Sequence, residues 1–342
     1  MKPYCIAFPC NRSEESSISF FPQLVAGPIE RAKNLLPQFF EKQHFDYKRA
    51  IDGAKLMTWG FFKKVVIADN LAIIVNTIYN DVGNYTGIPL IMATGFFAFQ
   101  IYCDFSGYSD IAIGAARIMG IRLMDNFKRP YFSRSITEFW KRWHISLSSW
   151  FRDYLYIPLG GNKASVFRVS INLLVVFVVS GLWHGANWTF IIWGAINGVY
   201  LIAEKLTKNL KYNVAKRTGL SKVPKLYTLM QIGITFALVN LGWIFFRSNS
   251  ISDAVYVLKN LFSGISLNFS NVGIGTGWSQ LIIVFVLIIL METMHVIQER
   301  TGIKNFLSAS PLLLRWLAYA AIVMTILLFG AFDGTEFIYF QF

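Results

Sequence analysis

The sequence predicts an all-α integral membrane protein: a bundle of about seven or eight spans, with interfacial or re-entrant helices around a central channel. Three observations predict it. Of the 342 residues, 54% are hydrophobic and only 15% are charged, whereas a soluble domain carries about 25% charged residues. The apolar residues gather in continuous runs rather than alternating at period two, which favours helices over a barrel. Aromatic residues make up 16% of the chain, including 10 Trp and 15 Tyr, a supply that suits membrane-interface belts.

A spanning helix needs about 20 mostly apolar residues. Stretches that qualify are 50–79, 88–121, 166–183, 187–203, 227–246, 280–296 and 312–331. The first contains Lys63 and Lys64, so part of it is expected at an interface rather than in hydrocarbon. The second is long for one span and holds Asp104, Ser106, Gly107 and Asp110. It is read as two shorter helices, or as one helix kinked around Gly107. Residues 125–163 contain no span of hydrocarbon length. There Ser135 and Glu138 have the spacing of a helix start, and Phe139, Trp140, Trp143, Leu147, Trp150 and Phe151 recur at helical spacing. That pattern suits a helix in the membrane interface or one re-entering a cavity.

A formal net charge of +13 raises the possibility of nucleic-acid binding, but the cations sit in loops between apolar runs. Lys205, Lys208, Lys211, Lys216, Arg217, Lys222 and Lys225 form one basic stretch, and residues 117–168 hold a second. Both fit cytoplasmic loops facing anionic lipid, with no nucleic acid as partner. The runs 166–183 and 187–203 then form a hairpin whose tip, with His184, lies away from the cytoplasm. Cys5, Cys10 and Cys103 have no metal-binding spacing, and no metal is expected. The first 15 residues lack the apolar core of a secretory signal.

A titratable side chain in lipid-class sequence costs roughly 2.5 kcal/mol or more if it ionises there, so it usually faces a protein-lined cavity. Histidine is also the side chain most readily tuned to move a proton near neutral pH. Of the four histidines, His44 reads as a surface residue and His295 as an interfacial one. His144 and His184, each beside a tryptophan, are equally compatible with structural and functional roles on spacing alone. Ser146, Ser148 and Ser149 lie close enough to His144 to suggest a Ser–His pair, but hydroxyls are common in amphipathic segments. Asp104 and Asp110 suit either pairing within the bundle or a polar channel lining.

Five ordered motifs carry a resemblance. They are Phe20-Phe-Pro-Gln-Leu-Val-Ala-Gly-Pro-Ile29, Tyr102-Cys-Asp-Phe-Ser-Gly-Tyr-Ser-Asp110, Phe139-Trp-Lys-Arg-Trp-His-Ile-Ser-Leu-Ser148, Phe151-Arg-Asp-Tyr-Leu-Tyr-Ile-Pro-Leu-Gly-Gly-Asn162 and Leu182-Trp-His-Gly185. Together they resemble the membrane-bound O-acyltransferases, in particular the bacterial branch that acetylates alginate or peptidoglycan. The closing Glu336-Phe-Ile-Tyr-Phe-Gln-Phe342 is similar to that branch too.

The resemblance implies that His184 is the catalytic histidine and His144 the second functional one. Asp104, Asp110, Trp143, Trp183 and Arg152 are expected along the substrate channel. It further implies acetyl-CoA as a cytoplasmic donor with no permanently bound cofactor. The acceptor would be an extracytoplasmic polysaccharide, reached through a periplasmic acetyltransferase partner, with the chain in the bacterial inner membrane. Members of the family usually carry several hydrophobic helices before the first motif. Residues 1–19 are therefore expected as an atypical leading segment, and 20–342 as one domain incomplete on its amino-terminal side. The alternatives are D-alanyl transfer to teichoic acid, and a non-catalytic homologue or transport scaffold.

Overall fold

The computed structural model describes residues 20–23, 26–264, 278–300, 311–332 and 337–338. The leading segment 1–19, with Cys5 and Cys10, lies outside the described residues, as do 339–342. Among the described residues every regular element is a helix, with no strand. In chain order the helices are α1 (Ala32–Phe40), α2 (Tyr47–Phe61), α3 (Asp69–Tyr79), α4 (Ile88–Ile118), α5 (Ile136–Arg142), α6 (Ile145–Phe151) and α7 (Val166–His184). Then follow α8 (Trp188–Leu206), α9 (Lys208–Arg217), α10 (Pro224–Arg247), α11 (Ile251–Asn260), α12 (Trp278–Arg300) and α13 (Leu312–Phe329).

Among the described residues, α4, α7, α8, α10 and α13 are long and apolar enough to cross a membrane, and α12 holds a shorter apolar stretch, Leu281–Ile297. This is a multi-pass membrane protein. The run at 50–79 behaves differently from the sequence expectation. α2 passes through a wider π-helical stretch, Phe62–Ala68, directly into α3. Lys63 and Lys64 sit on that stretch inside the bundle, not at an interface, and Lys63 is 3% exposed. Their counter-charges come from α4 and, for Lys64, also from the start of α3. Lys63 Nζ is 2.8 Å from Asp110 and donates to Ser106 Oγ at 2.8 Å. Lys64 Nζ reaches Asp104 at 2.7 Å and Asp69 at 2.8 Å.

The same pairing explains why the 88–121 run is one unbroken helix rather than two. Its polar residues are satisfied by a neighbour, and Gly107 serves close packing. A Cβ on Gly107 would stand 2.7 Å from Gly60 O, and one on Gly60 would stand 2.6 Å from Gly107 O. Gly53 and Gly114 meet in the same way, each at 2.6 Å from the other's carbonyl. On each helix the two glycines are two turns apart, so α2 and α4 pack backbone to backbone along a seam. Gly107→Val is expected to lower stability by about 1–3 kcal/mol through overpacking, read as a lower melting temperature in detergent micelles. Gly95→Ala, on the same helix but with open space around it, should leave the melting temperature unchanged.

Candidate functional site

The site begins with a helix that stops where helical spacing says it should continue. Ser135 caps α5 by accepting from Glu138 N at 3.1 Å, and Glu138 reaches back to Arg134 N at 2.8 Å. After Arg142 the backbone turns. His144 has φ 42 and ψ 54, a left-handed conformation that is uncommon for a residue other than glycine and persists only where its surroundings hold it. The amphipathic segment is therefore two short helices. Phe139 and Trp143 join the main core, while Leu147 and Phe151 form a separate cluster with Val176 of α7.

His144 is buried, with Phe105 edge-on at 4.6 Å and Phe127 parallel at 6.5 Å between ring centroids. Its Nδ1 lies 3.1 Å from Asn126 Oδ1. Burial holds its pKa well below the ordinary histidine value. The ring is therefore neutral at pH 7.

His184 closes α7, and its ring meets Trp193 of α8 and Phe246 of α10 edge-on, both at 5.2 Å. The next residue, Gly185, lets the Phe190 ring come close. A Cβ there would stand 2.7 Å from Phe190 Cε2. Asn187 caps α8 by accepting from Thr189 N at 3.1 Å, so Gly185-Ala-Asn187 is the tight turn of the α7–α8 hairpin.

A cavity of about 1300 Å³ brings the two histidines together, with Trp143, Trp140, Ser148, Ser149 and Arg152 also on its wall. Arg134, Lys141, Lys205, Lys208 and Lys211 line it as well. His184 lies beside the start of α8 and Lys205 near its end, about 25 Å apart at 1.5 Å per residue. That length approaches the hydrocarbon thickness of a bilayer.

The other expected channel residues are placed elsewhere. Asp104 and Asp110 are absent from this wall and belong to the ion-pair cluster with Lys64 and Lys63. Trp183 is 61% exposed on the outside of the hairpin, 6.5 Å from Trp150. His295 is buried inside the bundle instead of facing an interface. Its Nε2 lies 3.4 Å from Tyr102 Oη and its Nδ1 3.3 Å from Glu292. His44 is exposed. Ser146 is fully buried and donates its hydroxyl to Asn126 Oδ1 at 2.9 Å.

Sequence reasoning missed Asn126, which lies between helices on a segment with no periodicity to mark it. Lys205, Lys208 and Lys211, expected on a loop facing the cytoplasm and its anionic lipids, also line the cavity, a role the sequence reading did not give them. Their spacing of three along the chain was the available signal, since it turns them to one side of the α8–α9 helical run.

The sequence pattern of the MBOAT, or membrane-bound O-acyltransferase, family matches residues 18–243. The chain belongs to the membrane-bound O-acyltransferase family. Within that family it is 44% identical over 246 residues to a probable alginate O-acetylase of Pseudomonas aeruginosa, covering 72% of this chain and 45% of the relative. It is 42% identical over 254 residues to the peptidoglycan O-acetyltransferase of Helicobacter pylori, covering 73% and 47%. The teichoic acid D-alanyltransferase of Bacillus subtilis is more distant, 31% identical over 248 residues and covering 67% and 59%. The chain spans about half the length of the O-acetylating relatives. Both histidines fall inside the stretch that the O-acyltransferase pattern matches.

Proposed function

We propose that this chain is a membrane-embedded O-acyltransferase. It takes an acetyl group from cytoplasmic acetyl-CoA for O-acetylation of an extracytoplasmic polysaccharide, alginate-like or peptidoglycan, in the bacterial inner membrane. A periplasmic or other extracytoplasmic acetyltransferase partner hands the group on to the polymer. The observation that carries this reading is the single cavity containing His144, His184 and a basic end about 25 Å away along α8. The higher identity to O-acetylating relatives than to a D-alanyltransferase favours acetyl over D-alanyl transfer.

The chemistry follows from the residue types. His184 acts as general base on the acceptor hydroxyl, whose oxygen attacks the thioester carbonyl. A C–O bond forms, the C–S bond breaks, and the proton held by the imidazole passes to the departing thiolate. His144 faces the same space as a neutral imidazole, able to accept a hydrogen bond or take up a proton. Lys205, Lys208 and Lys211 meet the phosphates of the donor as point charges.

Inverted membrane vesicles carrying the chain, given acetyl-labelled CoA outside, test the proposal. Label is expected on hydroxyls of a polysaccharide or partner enclosed in the vesicle, and its absence with both present would overturn the reading. Changing Lys205, Lys208 and Lys211 together to Gln should raise KM for the donor severalfold and flatten its salt dependence, with kcat retained.

A further inference from the structure

Asn126 holds three consecutive residues of the turn that carries His144. Its backbone carbonyl accepts from Ile145 N at 2.9 Å. Its side-chain Oδ1 lies 3.1 Å from His144 Nδ1, 2.9 Å from Ser146 Oγ and 3.3 Å from Ser146 N. Its Nδ2 donates to Ser109 Oγ of α4 at 3.1 Å. Asn126 is 1% exposed and Ser146 is fully buried, so water does not compete for these groups.

The hydrogen-bond logic leaves one assignment. An amide oxygen and nitrogen are exchanged by a flip, and a histidine ring nitrogen either donates or accepts. A backbone N–H only donates, so the Asn126 atom facing Ser146 N is the oxygen. The same oxygen faces His144 Nδ1, which must therefore be the protonated nitrogen. The Ser146 hydroxyl, 3.4 Å from Nδ1, is compatible because it donates to Oδ1 and can accept from Nδ1–H. The lone pair of the neutral ring then resides on Nε2.

We propose that Asn126 is a positioning residue that fixes the proton of His144 on Nδ1 and makes Nε2 its basic nitrogen. The inference rests on the reading of His144 as a functional group in acyl transfer. It also accounts for the left-handed backbone at His144, which is kept in place by bonds to the ring, to the next amide and to the one after it.

The test is nitrogen NMR on the full chain, labelled at histidine and held in detergent micelles at about pH 7.5, where a neutral ring reports its tautomer. His144→Gln assigns the signals. The expected wild-type pattern is a protonated Nδ1 and an unprotonated Nε2, with Asn126→Leu moving protonation toward Nε2. In a transfer assay Asn126→Leu should lower kcat on the order of 100-fold with KM for the donor within about twofold, and Asn126→Asp should recover most of the rate. Asn126→Asp keeps the acceptor and places a carboxylate at Nδ1, so the titration midpoint of His144 should rise. This variant serves if Asn126→Leu does not fold. A wild-type proton on Nε2, an unchanged tautomer in Asn126→Leu, or an unmoved midpoint in Asn126→Asp overturns the proposal. Full transfer by His144→Gln would instead overturn the functional reading of His144, and the tautomer result would still decide what Asn126 does.

Discussion

His184→Ala is expected to abolish acetyl transfer while the protein accumulates in the membrane at the wild-type level. A general base at the acceptor hydroxyl contributes typically about 10² to 10⁴-fold. Here the loss should lie at the upper end, because the ring sits against Trp193 and Phe246, where a replacement base has little room. The fold should tolerate the change. His184 is partly exposed at the last position of α7, and the hairpin is held by the Asn187 cap and the Gly185–Phe190 contact rather than by the imidazole. His184→Gln, which keeps a hydrogen-bonding group but cannot carry the proton, should fail equally. Polymer acetylation measured in cells, with membrane protein quantified alongside, decides the matter. Normal acetylation in His184→Ala would remove the base from the mechanism and leave the cavity without its proposed chemistry.

The membrane class was legible in the sequence, and His144 and His184 stood out as candidates, because each has a local signature. Continuous apolar runs announce helices without reference to any neighbour, and His184 stands out between two of them. What escaped depends on residues far apart in the chain. Lys63 and Lys64 read as an interfacial break, and Asp104 and Asp110 as either paired within the bundle or lining a channel with no partner named, because a lone charge in apolar sequence needs a counter-charge, water or a cavity. Each pair is the other's solution, about 40 residues away, and only the glycine seam between α2 and α4 brings them together. The turn at His144 was hidden for another reason. No glycine or proline marks it, and the aromatic residues on either side keep helical spacing straight through it. What breaks the helix is Asn126, 18 residues earlier, supplying hydrogen bonds that the helix would otherwise have provided.

The buried ion-pair cluster carries the largest expected effect on stability. Two cations, Lys63 and Lys64, face three carboxylates, Asp69, Asp104 and Asp110. Lys64 bridges Asp69 and Asp104, whose side chains are 7% and 4% exposed. Lys64→Met leaves two carboxylates close together with little water and their shared cation gone. Stranding one partner of a buried pair costs about 3–5 kcal/mol, and two stranded like charges should place this variant at the upper end. Lys63→Met should cost less, since its partner Asp110 is 24% exposed and can recruit water. Adding Asp104→Asn to Lys64→Met should recover part of the loss, because neutral groups are cheaper to bury than an unpaired charge. Thermal unfolding of the two single variants and the double variant in micelles measures this coupling. Transfer activity should fall with stability in the same series. Asp104 accepts from Ile338 N at 2.7 Å, and the next residue, Phe105, lies against the His144 ring. A shift of α4 to relieve the stranded carboxylates would therefore move a wall of the histidine site. A Lys64→Met protein within about 0.5 kcal/mol of wild type would show that the pairs are screened or exchangeable, and the cluster would lose its structural role.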